Sequence, residues 1–123
     1  MKKLILTFFV FLLFFGFSYA QAPQAINYQA VVRDTNGFVI ANQNVSLRIS
    51  ILSDSITGTV VYAETHNPVT NILGLVNIEI GTGQVVTGDF SAIPWGNSKH
   101  FIKTESDVTG SSNYVLMGIS QFL

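Results

Sequence analysis

The feature that most constrains the fold of this chain is the alternation of apolar and polar side chains along several short segments. The clearest case runs from Val45 to Ile51, where every second residue is aliphatic and Ser46, Arg48 and Ser50 lie between them. A period of two places the aliphatic residues on one face of a β-strand, whereas a helix would spread them around its circumference. The segment is therefore predicted to be a strand with one buried face and one solvated face.

The same pattern predicts five further strands along the chain. They run from Ile26 to Val32, Thr59 to His66, Gly74 to Ile80, His100 to Glu105 and Tyr114 to Phe122. Sequences such as Asp34-Thr35-Asn36-Gly37 separate the strands, because short polar side chains bond to the backbone and glycine adopts positive φ. No helical period is sustained, so any helix is expected to be a single turn near Ser91 to Trp95.

Composition favours the same class of fold. From Gln21 onwards, Val, Ile and Thr make up 32 of 103 residues, and Ala, Leu, Lys and Glu together make up 17. Branched side chains lose χ1 freedom against a helical turn and fit a pleated sheet well. The prediction is an all-β, antiparallel two-sheet sandwich of about seven strands. A small barrel, open or closed, is the alternative that the pattern does not distinguish.

Residues 1–20 have the three parts of a helical secretory signal peptide. Lys2 and Lys3 form a cationic start, and an apolar run of 14 residues follows before the small residue Ala20. A membrane-spanning helix needs about 20 apolar residues, so a retained anchor is disfavoured. Cleavage is predicted between Ala20 and Gln21. The remaining domain, residues 21–123, is expected to be secreted or at the cell surface, and to meet the membrane only during export.

Charge and cysteine content exclude several classes of function. The whole chain carries a net charge of −1, and without the leader seven acidic residues face four basic ones. Such weak acidity offers no attraction to nucleic acid. The absence of cysteine excludes a disulfide scaffold and a thiolate metal site.

Two short patterns raise the question of a metal site. Glu64 and His66 share a strand face and could supply two ligands, but a closed zinc site needs four, so a solvated strand face is the favoured interpretation. Asp34 and Asn36 before Gly37 resemble the opening of a calcium loop, but the later ligands are missing and a plain turn is favoured. No metal and no cofactor are predicted.

No catalytic motif is present. The nucleophile elbow G-x-S-x-G and the phosphate loop G-x-x-x-x-G-K are both absent. Glu105 and Asp107 could join Asp89 in an acidic cluster, but the sequence does not place them together. The acids are expected mostly beside turns or on solvated strand faces, so the chain is predicted not to be an enzyme.

Aromatic residues supply the candidate binding site. Trp95, with Tyr62 and Tyr114, could stack on sugar rings and make the chain a carbohydrate-binding module for a polysaccharide. The favoured interpretation of Trp95 is that it closes one end of the core with Phe90, Ile93 and Phe101, which lie close in sequence.

The last residues read as an apolar strand with no polar tail. The run from Val115 to Leu123 is expected to leave an unpaired edge. That edge could pair with a downstream segment or with another subunit by β-augmentation. The chain is therefore expected to be an N-terminal fragment of a longer protein.

Several segments together resemble an N-terminal domain of secreted and surface proteins of the Bacteroidetes. The similar segments are the opening residues Ala22–Asp34 (which include "INYQAVVRD"), then Asn42–Arg48, Val60–Thr65, Asn71–Asn77, Ile80–Gly83, Phe90–Gly96 and Asn113–Gly118.

The resemblance implies a non-catalytic β-sandwich that precedes collagen-like or tail-fibre-like regions. It implies a structural or adhesion module, the head or spacer of a longer fibrous extracellular protein. Asp54-Ser55-Ile56 also resembles the O-glycosylation pattern of that phylum, which makes Ser55 a candidate acceptor.

Overall fold

The computed structural model describes residues 25–122, which form seven β-strands in two antiparallel sheets. The strands are β1 (Ile26–Val31), β2 (Ser46–Ser53), β3 (Thr59–His66), β4 (Leu75–Ile80), β5 (Gln84–Thr87), β6 (His100–Asp107) and β7 (Val115–Phe122). A short 3-10 helix, Phe90–Ala92, follows β5. The predicted leader, with its cleavage site between Ala20 and Gln21, lies outside the described residues.

The two sheets differ in size. Five strands form the larger sheet in the order β5-β3-β2-β6-β7, while β1 and β4 pair with each other in the smaller one. The outer strands β5 and β7 do not pair, so residues 25–122 form a sandwich and no closed barrel. The predicted all-β, two-sheet fold is confirmed.

Alternating side chains from both sheets fill the space between the layers. The fully buried aliphatic residues are Val32, Leu47, Ile49, Ile51, Val76 and Ile80. The hydroxyl of Tyr28 on β1 forms a 2.8 Å hydrogen bond with Thr104 Oγ1 on β6. This bond places β1 over β6, and the inner face of β7 therefore extends beyond the smaller sheet.

The six strands located from the sequence are all present, and β5, whose position the pattern does not give, is the seventh. All four residues of β5 are exposed, so the strand carries no alternation between buried and exposed positions. The 3-10 helix overlaps the predicted helical turn. On β2, Ser50 is buried although it lies on the face predicted to be solvated. This happens because β2 is the central strand, with β3 and β6 on either side.

Candidate functional site

A turn after β1 is held by one carboxylate. The Asp34 side chain accepts hydrogen bonds from the N–H groups of Asn36 at 2.9 Å and Phe38 at 3.0 Å. The Gly37 N–H donates to the Asp34 carbonyl at 3.0 Å, and Gly37 has a φ of +87°. A left-handed φ at this position favours glycine. Asp34 and Asn36 therefore lie in a turn, as the sequence predicted.

The turn before β4 has the same construction. The Asn71 side-chain oxygen accepts hydrogen bonds from the N–H groups of Leu73 at 2.8 Å and Leu75 at 2.9 Å. The Gly74 N–H donates to the Asn71 carbonyl at 3.0 Å, with φ at +77° for Gly74. The chain therefore builds two matching turns on an Asx side chain and a glycine three residues later.

The two turns lie side by side because both bond to Val32. The Val32 N–H donates to the Gly74 carbonyl at 2.8 Å, and the Val32 carbonyl accepts from the Ile40 N–H at 2.9 Å. A Cβ on Gly74 would lie 3.0 Å from both the Val32 oxygen and the Val39 Cβ. Glycine is thus required twice over at this position, for its φ and for the close approach of the two turns.

These turns carry exposed apolar side chains, which we call the apolar end. Phe38 is 70% exposed, Ile72 73% and Leu73 67%. Val39 and Val69 are also exposed beside them. Several large apolar side chains are therefore exposed together on two adjacent turns.

Beside the apolar end, a groove of about 800 Å³ lies between the end of β1 and the start of β7. We call it the β1–β7 slot. Its apolar walls come from Val31, Val108, Val115, Leu116 and Met117. Val115 and Leu116 are about half exposed, at 48% and 54%. The slot is therefore an apolar surface that continues from the turns onto the edge of the sandwich.

The loop between β6 and β7 borders the slot and is fixed by Asp107. Its carboxylate accepts hydrogen bonds from the N–H and hydroxyl of Thr109 and from the Ser112 N–H, at 2.7 to 2.9 Å. The bond from the Thr109 hydroxyl, with those from the backbone, lowers the pKa of Asp107. The carboxylate thus holds the loop in one conformation beside the slot.

On the outer face of the larger sheet, Arg48 forms a two-pronged ion pair with Glu105, both contacts at 3.0 Å. The hydrogen bonds to Glu105 raise the pKa of Arg48. Arg48 also lies 4.4 Å from the centre of the Tyr114 ring, so it covers one face of that ring. Tyr114 is half-buried, and its ring contacts the Arg48 guanidinium group.

The three acids considered as a cluster have separate partners. Glu105 pairs with Arg48, Asp107 binds the β6–β7 loop, and Asp89 caps the 3-10 helix by accepting from the Ser91 N–H and hydroxyl. Within residues 25–122 no group of three or more His, Asp or Glu side chains is placed to hold a metal ion. Glu105 and Asp107 are buried, contrary to the expected solvation of the acids.

The expectation of a solvated face for Glu64 and His66 is also wrong. Glu64 is fully buried on the inner face of β3. Its carboxylate accepts hydrogen bonds from the N–H groups of Gly81 at 2.5 Å and Gly83 at 2.6 Å, and it bonds to His66 Nε2. The turn after β4 folds over the carboxylate. The sequence signal was present, since Glu64 follows Tyr62 by two residues and shares its face.

The opposite end of the sandwich is closed by aromatic rings. The Trp95 ring lies 5.9 Å from Phe90, 5.1 Å from His100 and 5.4 Å from Phe122, measured between ring centres. Trp95 is half-buried and packs against the core. This packing is what the favoured interpretation of Trp95 as a core-closing residue requires, but Phe101, which was expected to join it, lies outside the core cluster.

Tyr62 lies in the same cluster, with its ring centre 5.4 Å from that of Phe90. It is fully buried on the inner face of β3, so the suggestion that it offers a platform to a sugar is wrong. Burial, followed by the charge of Glu64, raises the pKa of Tyr62 to about 12. The Tyr62 hydroxyl and both ring nitrogens of His100 are buried without a hydrogen-bond partner among the described residues.

The candidate glycosylation residue is accessible. Ser55 is exposed in the connection between β2 and β3, and its hydroxyl lies 3.4 Å from Thr57 Oγ1. Its modification stays a prediction. Across residues 25–122 no helix has the length and apolar character needed to span a membrane.

Comparison with known proteins finds one family. The model of a domain of unknown function, DUF8740, matches residues 27–117, about three quarters of the chain. No curated protein and no solved structure matches the chain. The match spans β1 to the start of β7 and includes both turns of the apolar end. The chain therefore belongs to the DUF8740 family.

Proposed function

We propose that this protein is a non-catalytic structural or adhesion module of the cell surface or extracellular space. In this proposal the leader directs export, and the sandwich serves as the head or spacer of a longer fibrous protein. The resemblance to N-terminal domains of Bacteroidetes surface proteins supports the proposal. Its contact surface is the apolar end together with the neighbouring slot.

The observation that carries the proposal is the gathering of Phe38, Ile72 and Leu73 on two matching turns. Solvent exposure of such side chains costs free energy, at about 25 cal/mol per Å² of apolar surface. The Asx hydrogen bonds hold these turns in place, so little conformational entropy is lost when a partner covers them. A rigid apolar surface of this kind fits contact with another protein surface.

The position of the apolar end within the fold agrees with a role as head or spacer. Ile26 pairs with Ile80, and the adjoining Gly81 lines a shallow cavity with Phe90. Through Phe90 and Trp95 the aromatic cluster reaches Phe122. β1 therefore begins and β7 ends at the aromatic end of the sandwich, and the apolar end points away from both.

Carbohydrate binding remains a separate proposal with less support. Tyr62 is buried, one face of the Tyr114 ring is covered by Arg48, and Trp95 packs among three rings. A sugar platform needs an open aromatic face. The residues singled out for this role do not gather into one exposed surface.

A bead-adhesion assay tests the proposal. The whole chain is expressed with its leader and a C-terminal biotin tag, which attaches the protein to beads through the end opposite the apolar end. Beads with the wild-type protein are expected to adhere to one another and to a hydrophobic surface. The triple variant F38S/I72S/L73S is expected to reduce adhesion at least tenfold, because it removes the exposed apolar side chains.

The matched control is V85S/V86S, which removes two exposed valines from β5, away from the turns. It is expected to leave adhesion unchanged. Equal adhesion of the triple variant and the wild type would contradict the proposal. Adhesion only to polysaccharide-coated surfaces, abolished by soluble polysaccharide, would favour the carbohydrate-binding alternative instead. Recovery of the tagged chain in the cytoplasm alone would contradict export.

A further inference from the structure

We infer that the β1–β7 slot binds an extended polypeptide strand that pairs with the free edge of β1. The inference rests on the proposed function, because it names the kind of partner that a structural module joins. Three features lead to it: an unpaired strand edge, an uncovered sheet face beneath it, and apolar side chains along both walls.

The unpaired edge belongs to β1. Within residues 25–122, β1 pairs with β4 alone. The Val32 N–H donates to Gly74 on the β4 side. Backbone groups alternate between the two sides of a strand, so those of Val31 and Gln29 point away from β4. A row of free N–H and C=O groups is complementary to another extended chain and to little else.

The uncovered face belongs to β7. Neighbouring strands lie about 4.8 Å apart and packed sheets about 10 Å apart, so a strand added beside β1 would lie over β7. Gly118 pairs with Thr104, whose side chain points toward the smaller sheet. A Cβ on Gly118 would meet no heavy atom within 4 Å. The space above β7 is therefore open at the position that a third strand of the smaller sheet, added beside β1, would fill.

The walls of the slot indicate the side chains of the occupant. Val115 and Leu116 are exposed on the β7 wall, and Val31, which is 39% exposed, borders the slot from the outer face of β1. A strand presents alternate residues to one face, so apolar side chains at every second position would cover the β7 wall. A length of about five or six residues is typical of a strand in a sheet.

Strand regularity favours β1 as the pairing edge. The β1–β4 pairs are in register from Ile26 to Val31, with no shift. The pairs that hold the outer strands β5 and β7 each contain a register shift, at Ala63/Glu64 and Thr104/Glu105. Bulges twist an edge and weaken it as a template for pairing. β1 therefore receives the partner strand, and β7 forms the floor beneath it.

A peptide selection tests the inference. A displayed library of random nine-residue peptides is panned on the protein purified from expression of the whole chain, and the enriched peptides are synthesised. They are expected to carry apolar residues at alternate positions. Binding should slow amide hydrogen exchange at Gln29 and Val31 at least tenfold, because these N–H groups become paired.

Two variants and one modified peptide distinguish strand pairing from nonspecific hydrophobic binding. Gly118→Phe should weaken peptide binding at least tenfold by filling the slot, whereas Gly96→Phe should not change it. Both glycines have open space around the added Cβ. Val31→Lys gives a second test if Gly118→Phe fails to fold. Methylation of the central amides of the peptide should abolish binding, since it removes the backbone hydrogen bonds.

Several outcomes would overturn the inference. These are a selection without enrichment of alternating peptides, protection that maps away from β1, and unchanged binding to Gly118→Phe and Val31→Lys. Protection of Gln29 and Val31 in the protein alone, together with a dimer by light scattering, would identify a second copy as the occupant and also overturn it. Failure of peptide binding with intact bead adhesion rejects the slot alone. Peptide binding without adhesion rejects the proposed function alone.

Discussion

Asp34 and Asn71 make the same pair of hydrogen bonds in two adjacent turns, each to the second and fourth N–H groups that follow. The Asp34 carboxylate and the Asn71 side-chain amide oxygen, 37 positions apart in the chain, thus accept equivalent hydrogen bonds. Because both turns also bond to Val32, the conformation of one turn limits that of the other. The apolar end depends on this shared geometry.

Removing either Asx side chain is expected to destabilise the protein. Asp34→Ala and Asn71→Ala should each lower the free energy of unfolding by about 1 kcal/mol, as loss of a capping side chain does. Urea denaturation followed by tryptophan fluorescence measures the change. Thr35→Ala is the matched control, because Thr35 is exposed in the same turn. A loss no larger than that of the control would show that the backbone alone fixes the turns.

Glu64→Gln is expected to be strongly destabilising. The Gly81 and Gly83 N–H groups each donate to a different carboxylate oxygen, so an amide must turn its NH₂ group toward one donor. Hydrogen bonds to a charged group contribute about 1.5–3 kcal/mol, and a loss of this size in the free energy of unfolding is expected from chemical denaturation.

A substitution at Gly83 is a second test of the contact between this turn and the Glu64 carboxylate. A Cβ there would overlap the carboxylate and lie 2.6 Å from the Thr65 carbonyl. Gly83→Ala should therefore destabilise the protein, whereas Gly96→Ala, with open space around it, should not. If Glu64→Gln and Gly83→Ala both unfold at the wild-type urea concentration, the contact between the turn and Glu64 is unimportant for stability.

Tyr62 is expected to make the protein sensitive to alkaline pH. Its pKa is raised from 10.0 to about 12 by burial and the nearby charge of Glu64. Because the folded state resists ionisation, this stability is fully present below pH 10 and is lost as the pH rises toward 12. Urea denaturation between pH 8 and 11.5 should show a decline that Tyr62→Phe reduces, by about 2 kcal/mol at the upper end.

Tyr28→Phe is the control for the alkaline decline. It removes the hydrogen bond to Thr104 and should lower stability at all these pH values by about 1 kcal/mol, leaving the slope unchanged. A slope that is the same in wild type and Tyr62→Phe would assign the alkaline effect to other groups.

His100→Leu is expected to maintain or raise stability. Both ring nitrogens of His100 are buried without a partner among residues 25–122, and replacing an unsatisfied polar group by an apolar one removes its desolvation cost. A rise of about 1 kcal/mol in the free energy of unfolding is expected. His66→Leu gives the contrast, since it removes a partner of Glu64 and should destabilise. Marked destabilisation by His100→Leu would mean that its nitrogens have a partner.

The sequence pattern predicts the strands well and the site poorly, for identifiable reasons. Alternation identified the inner residues of β4, which has one buried face, and those of β2, although Ser50 on the outer face of β2 is buried as well. Glu64 shares the buried face of β3 with Tyr62, but the hydrogen bonds that satisfy its carboxylate come from a turn 17 residues away, which no local pattern reports. The slot exists because a five-stranded sheet packs against a two-stranded one and extends beyond it. The division of the strands into these two sheets is set by which strands pair with each other. Single-segment periodicity carries no information about pairing order.

The shared end at which β1 begins and β7 finishes has a mechanical consequence. These strands belong to different sheets, so a force applied through their outer residues does not slide paired strands past each other. Such a force peels β7 from β6 starting at Phe122 and His100, and the hydrogen bonds break one after another. Little tension is then needed to open the sandwich. For the function proposed above, this geometry favours the head of a fibrous protein over a spacer that carries tension along the fibre.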